Sequence, residues 1–190
     1  MLALEAALGP PDLVVANAGI GGQGHALDLR METLTQTMRT NVEGPVRTLL
    51  LALPGMKARG QGHLAGVSSV AGVRGLPGTG VYSASKAALS TILESFRVAL
   101  RPHNIAVTTI NPGYVVSPMT AKNRFKMPWL MPTERAARII ADGLERRRTE
   151  INFPWQMAFL YWLARQIPNF LYDRLMQRAN PRKRREAPPP

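Results

Sequence analysis

Tyr82 and Lys86 stand four residues apart where the composition turns to small and apolar residues, Ala84, Ala87, Ala88 and Leu89. If that run is helical, both side chains leave one face and meet the same cavity. A phenol with a reference pKa of about 10 is a poor acid–base group at neutral pH. A nearby ammonium favours the phenolate and moves the tyrosine toward the range where general acid–base catalysis is efficient. Upstream, Ser68 and Ser69 close an apolar run, and Gly72, Gly75, Pro77, Gly78 and Gly80 follow. That pattern is a strand end opening into a flexible loop, where α/β sheets put their ligands. Taken alone, the spacing also describes a core tyrosine beside a solvated lysine.

The elements that must hold these groups read in order. Residues 2–8 look like the last turns of a helix closed by Gly9-Pro10-Pro11, and Asp12 to Asn17 reads as a buried parallel strand. A loop over 21–28 leads into a helix from Leu29 to Arg59, with Met31, Leu34 and Met38 on one side. His63 to Ser69 is the next strand. Tyr82 to Leu100 is a helix striped by Ser85, Leu89, Ile92, Phe96 and Ala99. Ile105 to Ile110 is a β-branched strand ended by Asn111-Pro112-Gly113. Thr133 suits an N-cap, ahead of an amphipathic helix over 134–147 that points Ala137, Ile140 and Leu144 inward. Glu150 to Phe153 reads as an edge strand.

Several of these stretches together resemble the short-chain dehydrogenase/reductase family. They are the serine thirteen residues before the tyrosine, the glycine loop, Y-S-A-S-K-A-A, and N-A-G (Asn17, Ala18, Gly19) after the first strand. The resemblance implies a Rossmann-like, doubly wound parallel sheet. It also implies hydride transfer between NAD or NADP and a carbonyl or secondary alcohol. In that family Ser69 would hold the substrate oxygen and Tyr82 would pass the proton. Lys86 would grip the nicotinamide ribose and lower the tyrosine pKa. Asn41, in T-N-V-E-G-P-V, would be the fourth catalytic position; read by itself it is an ordinary surface or capping residue. Asn17 would brace the central sheet, and the loop of Asn17, Ala18 and Gly19 would back the adenosine side of the cofactor. Pro112 and Gly113 would turn beneath the nicotinamide, and Ser117 would stand where a threonine usually meets the carboxamide. The resemblance further implies a homo-oligomer built on the long helices.

Pro45 offers no N–H to the carbonyl of Asn41, four residues before it. The resembled family joins that carbonyl to the lysine through a water. The plainer alternative is a second helix beginning at the proline, with Asn41 as its cap.

Family members open on a strand and a T-G-x-x-x-G-x-G turn whose backbone meets the pyrophosphate. No such turn precedes N-A-G here, and the glycine-rich 19–24 run follows a different strand without Rossmann spacing. The expected fold is therefore incomplete, lacking the N-terminal strands that also carry the residue choosing NAD or NADP. Residues 1–152 read as about the C-terminal two-thirds of that domain, 153–180 as an aromatic-rich helical extension, and 181–190 as a disordered tail. Two functions fit. One is an oxidoreductase seen as a truncated record of a longer enzyme. The other is a non-catalytic remnant acting through oligomer or membrane-surface contacts.

Composition narrows the rest. The 190 residues contain no cysteine, which excludes disulfides and thiolate chemistry and fits a reducing, cytoplasmic setting. Three scattered histidines make no metal-ligand spacing. The start lacks a basic n-region, and no stretch of about 18 apolar residues could span a membrane as a helix. A net charge of +12 collects in knots at 146–148 and 182–185. No nucleic-acid-binding motif accompanies them, so a solvated basic surface is expected. The segment 153–172 holds seven of the twelve aromatic residues. It reads as a cover for the pocket or the oligomer interface. Alternatively, with basic flanks, 153–185 reads as a peripheral membrane contact.

Overall fold

The computed structural model describes residues 9–179 apart from Gln23 and Arg124, with side chains to Gln177. The helix expected over 2–8 and the tail 181–190 lie outside the described residues. Four strands, β1 (Leu13–Ala16), β2 (Gly62–Val67), β3 (Ile105–Pro112) and β4 (Glu150–Phe153), form one parallel sheet in the order β1-β2-β3-β4. The register sets Val14 beside Leu64, Leu64 beside Val107, and Ile110 beside Ile151. Parallel strands need helical crossovers, and helices on both faces bury the central strands throughout. β2 is accordingly buried from Gly62 to Gly66. On β1, Val14 and Ala16 turn inward, while Leu13 and Val15 remain 43% and 40% exposed. The sheet carries one core on each side. Leu49, Met56, Leu64, Leu89 and Leu93 fill the first; Ala65, Ile110, Ile151 and Phe153 fill the second.

The first crossover is a nearly continuous rod. It runs through α1 (Met31–Met38), a π-helical turn (Arg39–Glu43) and α2 (Gly44–Arg59). In the π turn the Gly44 N–H reaches the Arg39 carbonyl, five residues back. Pro45 cannot supply the α-type bond to Asn41, so the ladder slips by one residue there. Of the side expected to carry Met31, Leu34 and Met38, Met31 is 67% exposed and Leu34 and Met38 are half-buried, while Thr37 of α1 and Asn41 of the π turn are buried. Thr37 lies under the close approach of Gly22, where a Cβ would fall 2.7 Å from its hydroxyl oxygen.

α3 (Gly80–Leu100) begins two residues before the expected start. Its buried stripe is Val81, Ser85, Lys86, Leu89 and Leu93. Leu93 replaces the expected Ile92 because it fills the space left by Gly66 of β2, where a Cβ would stand 2.6 Å from its Cδ1. Ala99 is exposed. α4 (Thr133–Glu145) buries Ala136, Gly143 and Leu144, with Ile140 only partly buried and Ala137 exposed. Thr133 is not the cap: Pro132 holds that position, and the Thr133 hydroxyl donates to the Val116 carbonyl at 2.7 Å. Beyond β4 the aromatic segment forms the helix pair α5 (Trp155–Gln166) and α6 (Asn169–Ala179).

Candidate active site

The carboxyl ends of all four strands open into one cavity of about 460 Å³. Its lining includes Asn17 and Gly19 after β1, Val67 to Ser69 at β2, Pro112 and Gly113 at β3, and Phe153 at β4. Tyr82 and Lys86 project into it from the first turns of α3. The sequence spacing thus brings phenol and ammonium to one place, with Nζ 5.8 Å from the ring centroid of Tyr82.

Ser69 turns the chain from β2 into a short 3-10 turn, Val70–Val73, and its hydroxyl caps that turn by accepting from the Ala71 N–H. The turn lies directly against α3. A Cβ at Gly72 would come within 2.9 Å of the Ala87 nitrogen and 3.0 Å of the Lys86 carbonyl carbon, so only glycine permits this approach. Ser68 ties the same turn down: it donates to the Lys86 carbonyl at 2.8 Å and accepts from Ser90 at 2.8 Å. The strand end and the helix start are thereby held as one unit, and Ser69 faces Tyr82.

Lys86 is 3% exposed, and burial lowers its pKa to about 8. Its ammonium donates to the Val67 carbonyl at 2.8 Å. Among the described residues no bond joins it directly to the Asn41 carbonyl. The expected lowering of Tyr82 by the lysine is also corrected. Burial pushes the phenol up, and the Ser69 hydroxyl within hydrogen-bonding reach pulls it partly back. The ammonium is engaged with Val67, and desolvation of the phenol dominates.

Asn41 is fully buried and works through its side chain. Its Oδ1 accepts from Ile20 N at 2.7 Å, and its Nδ2 donates to Ile20 O at 2.9 Å and to Ser85 Oγ at 3.0 Å. Ser85 in turn donates to the Tyr82 carbonyl at 2.7 Å. The asparagine therefore links the loop after β1 to the first turn of α3. Ser117 lines the cavity, with its hydroxyl shared with Thr120 at 3.1 Å in a local turn. Asn17 and Gly19 line the cavity; Ala18 between them does not.

The sequence reading missed two phenols and a cation. Tyr114, just after β3, and Tyr161, on α5, line the cavity beside Tyr82. Burial pushes both pKa values up. Arg74 caps the C-terminal end of α5: it donates to the Ala164 carbonyl, to that of Ile167 at 2.6 Å, and to Asn169 Oδ1 at 2.9 Å. Its guanidinium also stacks 3.7 Å over the Tyr172 ring. The aromatic density of 153–172 was the available signal for Tyr161; nothing local marked Arg74. Among the described residues no group of acids, histidines or cysteines is arranged to hold a metal ion.

A parallel α/β sheet with a serine, tyrosine and lysine at its carboxyl edge defines a class of oxidoreductases. Residues 1–128 match the family model for short chain dehydrogenases. The chain is 49% identical over 176 residues to an uncharacterized oxidoreductase of Myxococcus xanthus, covering 93% of this chain and 70% of that one. It is 34% identical over 149 residues to an uncharacterized oxidoreductase of Mycobacterium tuberculosis, covering 78% of this chain and 58% of the relative. Among solved structures, a short-chain dehydrogenase from Sphingobium yanoikuyae in complex with NADPH superposes with a TM-score of 0.70 at 20% identity. That match covers 75% of this chain and 57% of the other. The chain belongs to the short-chain dehydrogenase family.

Proposed function

We propose that this chain carries the catalytic half of an NAD(P)-dependent oxidoreductase acting on a carbonyl or secondary alcohol. The single observation behind the reading is the convergence of Ser69, Tyr82 and Lys86 on one cavity at the carboxyl edge of the sheet. The residues present fit the nicotinamide end of such a cofactor. A Cβ at Gly19 would sit 3.2 Å from Lys86 Nζ and 3.5 Å from Asn41 Oδ1, so this glycine keeps the space beside the ammonium open. Lys86 has three donors and bonds the Val67 carbonyl, which leaves N–H groups for a ribose diol. Pro112, Gly113 and Ser117 would face the nicotinamide, and Asn17, Ala18 and Gly19 the side toward the adenosine. The pyrophosphate turn is not among these residues, and neither is the residue that would choose NAD or NADP.

When bound, the nicotinamide supplies or accepts the hydride. The protein handles the oxygen and the proton. Ser69 has a weak 3.3 Å bond to the Pro112 carbonyl, so its hydroxyl is easily turned toward a substrate oxygen. Tyr82, its pKa raised by burial, stays protonated at neutral pH, the form that gives a proton to a carbonyl oxygen as the carbon is reduced. Lys86 holds the ribose and adds positive charge beside the phenol. Tyr82→Phe keeps the ring and removes the acid, so turnover in the protein extended by its phosphate-binding half should fall by about 10²-fold or more. Near-normal turnover of that variant would sink the assignment.

A second reading rests on surface. Trp155, Phe159, Trp162 and Phe170 of α5 and α6 are 54–78% exposed, beside the basic residues Arg165 and Arg174. This face fits contact with an anionic membrane surface. Leu34, Met38, Val42, Val46 and Ile92 also form a shallow groove between the long helices, in keeping with a homo-oligomer that size-exclusion chromatography would reveal.

A further inference from the structure

Val116, Met119 and Phe125 line the cavity and are nonetheless 41–51% exposed, so they mark its mouth. All three belong to the loop that leaves β3 and returns to α4. The base of that loop is pinned: the Val116 N–H donates to the Met131 carbonyl and the Met131 N–H to that of Tyr114, both at 2.9 Å. The Phe125 ring meets the Tyr114 ring edge-on, with centroids 5.9 Å apart, which lays the loop against the cavity wall. Just before the loop returns, Trp129 has a φ of +53°, a left-handed conformation that is costly for a bulky residue. Its indole is exposed all the same, as is Leu130 beside it. Burial within the chain therefore does not offset that strain.

Across the mouth, α5 gives Met157 and Tyr161 to the same cavity and turns Trp155, Phe159, Trp162 and Leu163 to solvent. A helix apolar on both sides calls for a second apolar phase besides its own core. Charge decides which one. Between Glu94 and Glu134, and again between Glu150 and Asp173, the sequence has no acidic residue, while Lys122, Lys126 and Arg165 lie exposed in those two stretches. Beyond α6 the sequence continues into Arg182, Lys183, Arg184 and Arg185. A second copy would bring the same positive rim and the same net charge of +12 against the first, which opposes the contact. An anionic bilayer complements it: basic residues are drawn to the headgroups, and tryptophan and phenylalanine settle at the boundary with the acyl chains.

We propose that the loop over 116–130 is a second membrane-binding element, and that it and α5 seat the chain on an anionic bilayer with the cavity mouth against the lipid. The inference deepens the membrane-surface reading of α5 and α6 and rests on it; the loop and the orientation are what it adds.

The test uses the full chain and vesicles made of equal parts phosphatidylcholine and phosphatidylserine. Trp155→Phe combined with Trp162→Phe leaves Trp129 as the sole indole and keeps the α5 face aromatic. On vesicles with brominated acyl chains, the emission of Trp129 should shift to the blue and lose about half its intensity. Phe125→Ser combined with Trp129→Ser should weaken vesicle binding by at least ~10-fold at an unchanged Tm. The chain has no cysteine, so a fluorophore that brightens in lipid can be placed on Met119→Cys at the mouth, or on Ala58→Cys, exposed near the end of α2 and ahead of the amino end of β2. The first should brighten severalfold and the second should not. Vesicle binding with an unquenched Trp129, or equal brightening of both labels, would overturn the proposal and leave the α5 and α6 face standing as a membrane contact. No binding to these vesicles, or equal binding to phosphatidylcholine alone, would end both readings. A lipid-free dimer that Phe125→Ser with Trp129→Ser dissociates would assign the rim to a second copy and overturn the proposal as well.

Discussion

At the scale of single residues, Lys86 shows how the site works against the fold. An ammonium 3% exposed with a pKa near 8 holds its proton at neutral pH in a place that disfavours it. The unfolded chain returns that group to its usual value of 10.5. Between those values the unfolded state binds more protons, so this group's contribution to stability rises with pH from about 8 to 10.5 and is lost below. Each pKa unit corresponds to about 1.4 kcal/mol, and the ammonium's bond to Val67 offsets part of it. Lys86→Met should therefore stabilise the chain by ~1–2 kcal/mol at pH 7. For a chain of this size that is a rise in Tm of roughly 2–8 °C. The gain should shrink to nothing by pH 10.5, and a lower Tm at pH 7 would contradict it. Such a trade of stability for chemistry is what the role proposed for Lys86 predicts.

At the scale of elements, the π turn and Asn41 act together. The asparagine satisfies both backbone groups of Ile20 and the hydroxyl of Ser85. Asn41→Ala would leave these unpaired and should cost about 2–3 kcal/mol. The urea midpoint should drop with an unchanged slope, whereas Thr48→Ala, which removes one bond within α2, should move it far less. This element was legible in sequence because Pro45 forbids an ordinary helix at one position, and the tyrosine–lysine pair because its spacing is a local helical rule. The strands were legible as apolar runs between glycine turns. Which residues of α1, α3 and α4 are buried was not, because Gly22 sits against Thr37, Gly66 against Leu93 and Ile151 against Gly143, each from another part of the chain. Nor were Tyr114, Tyr161 and Arg74, whose partners are set by tertiary packing that no period or motif encodes.

At the scale of the molecule, a charge of +12 and the exposed aromatic face of α5 and α6 coincide with the absence, among the described residues, of any helix long and apolar enough to cross a membrane. Anionic liposomes should sediment the chain at low salt and release most of it at high salt, since charge screening shortens the attraction to about 3 Å at 1 M. Trp162→Ser combined with Phe159→Ser should abolish the low-salt binding; unchanged sedimentation of the double variant would rule that face out. The Arg74 clamp has a consequence in time. It joins residues 90, 93 and 95 positions apart in sequence, and contacts that close long loops form late. The helix pair should dock last onto a sheet already assembled and open first from the native state. Native-state hydrogen exchange should then show the α5 and α6 amides losing protection at a lower free energy than those of β2 and β3. The roof over the cavity would unlatch as a unit, giving a ligand a way in while the sheet stays folded.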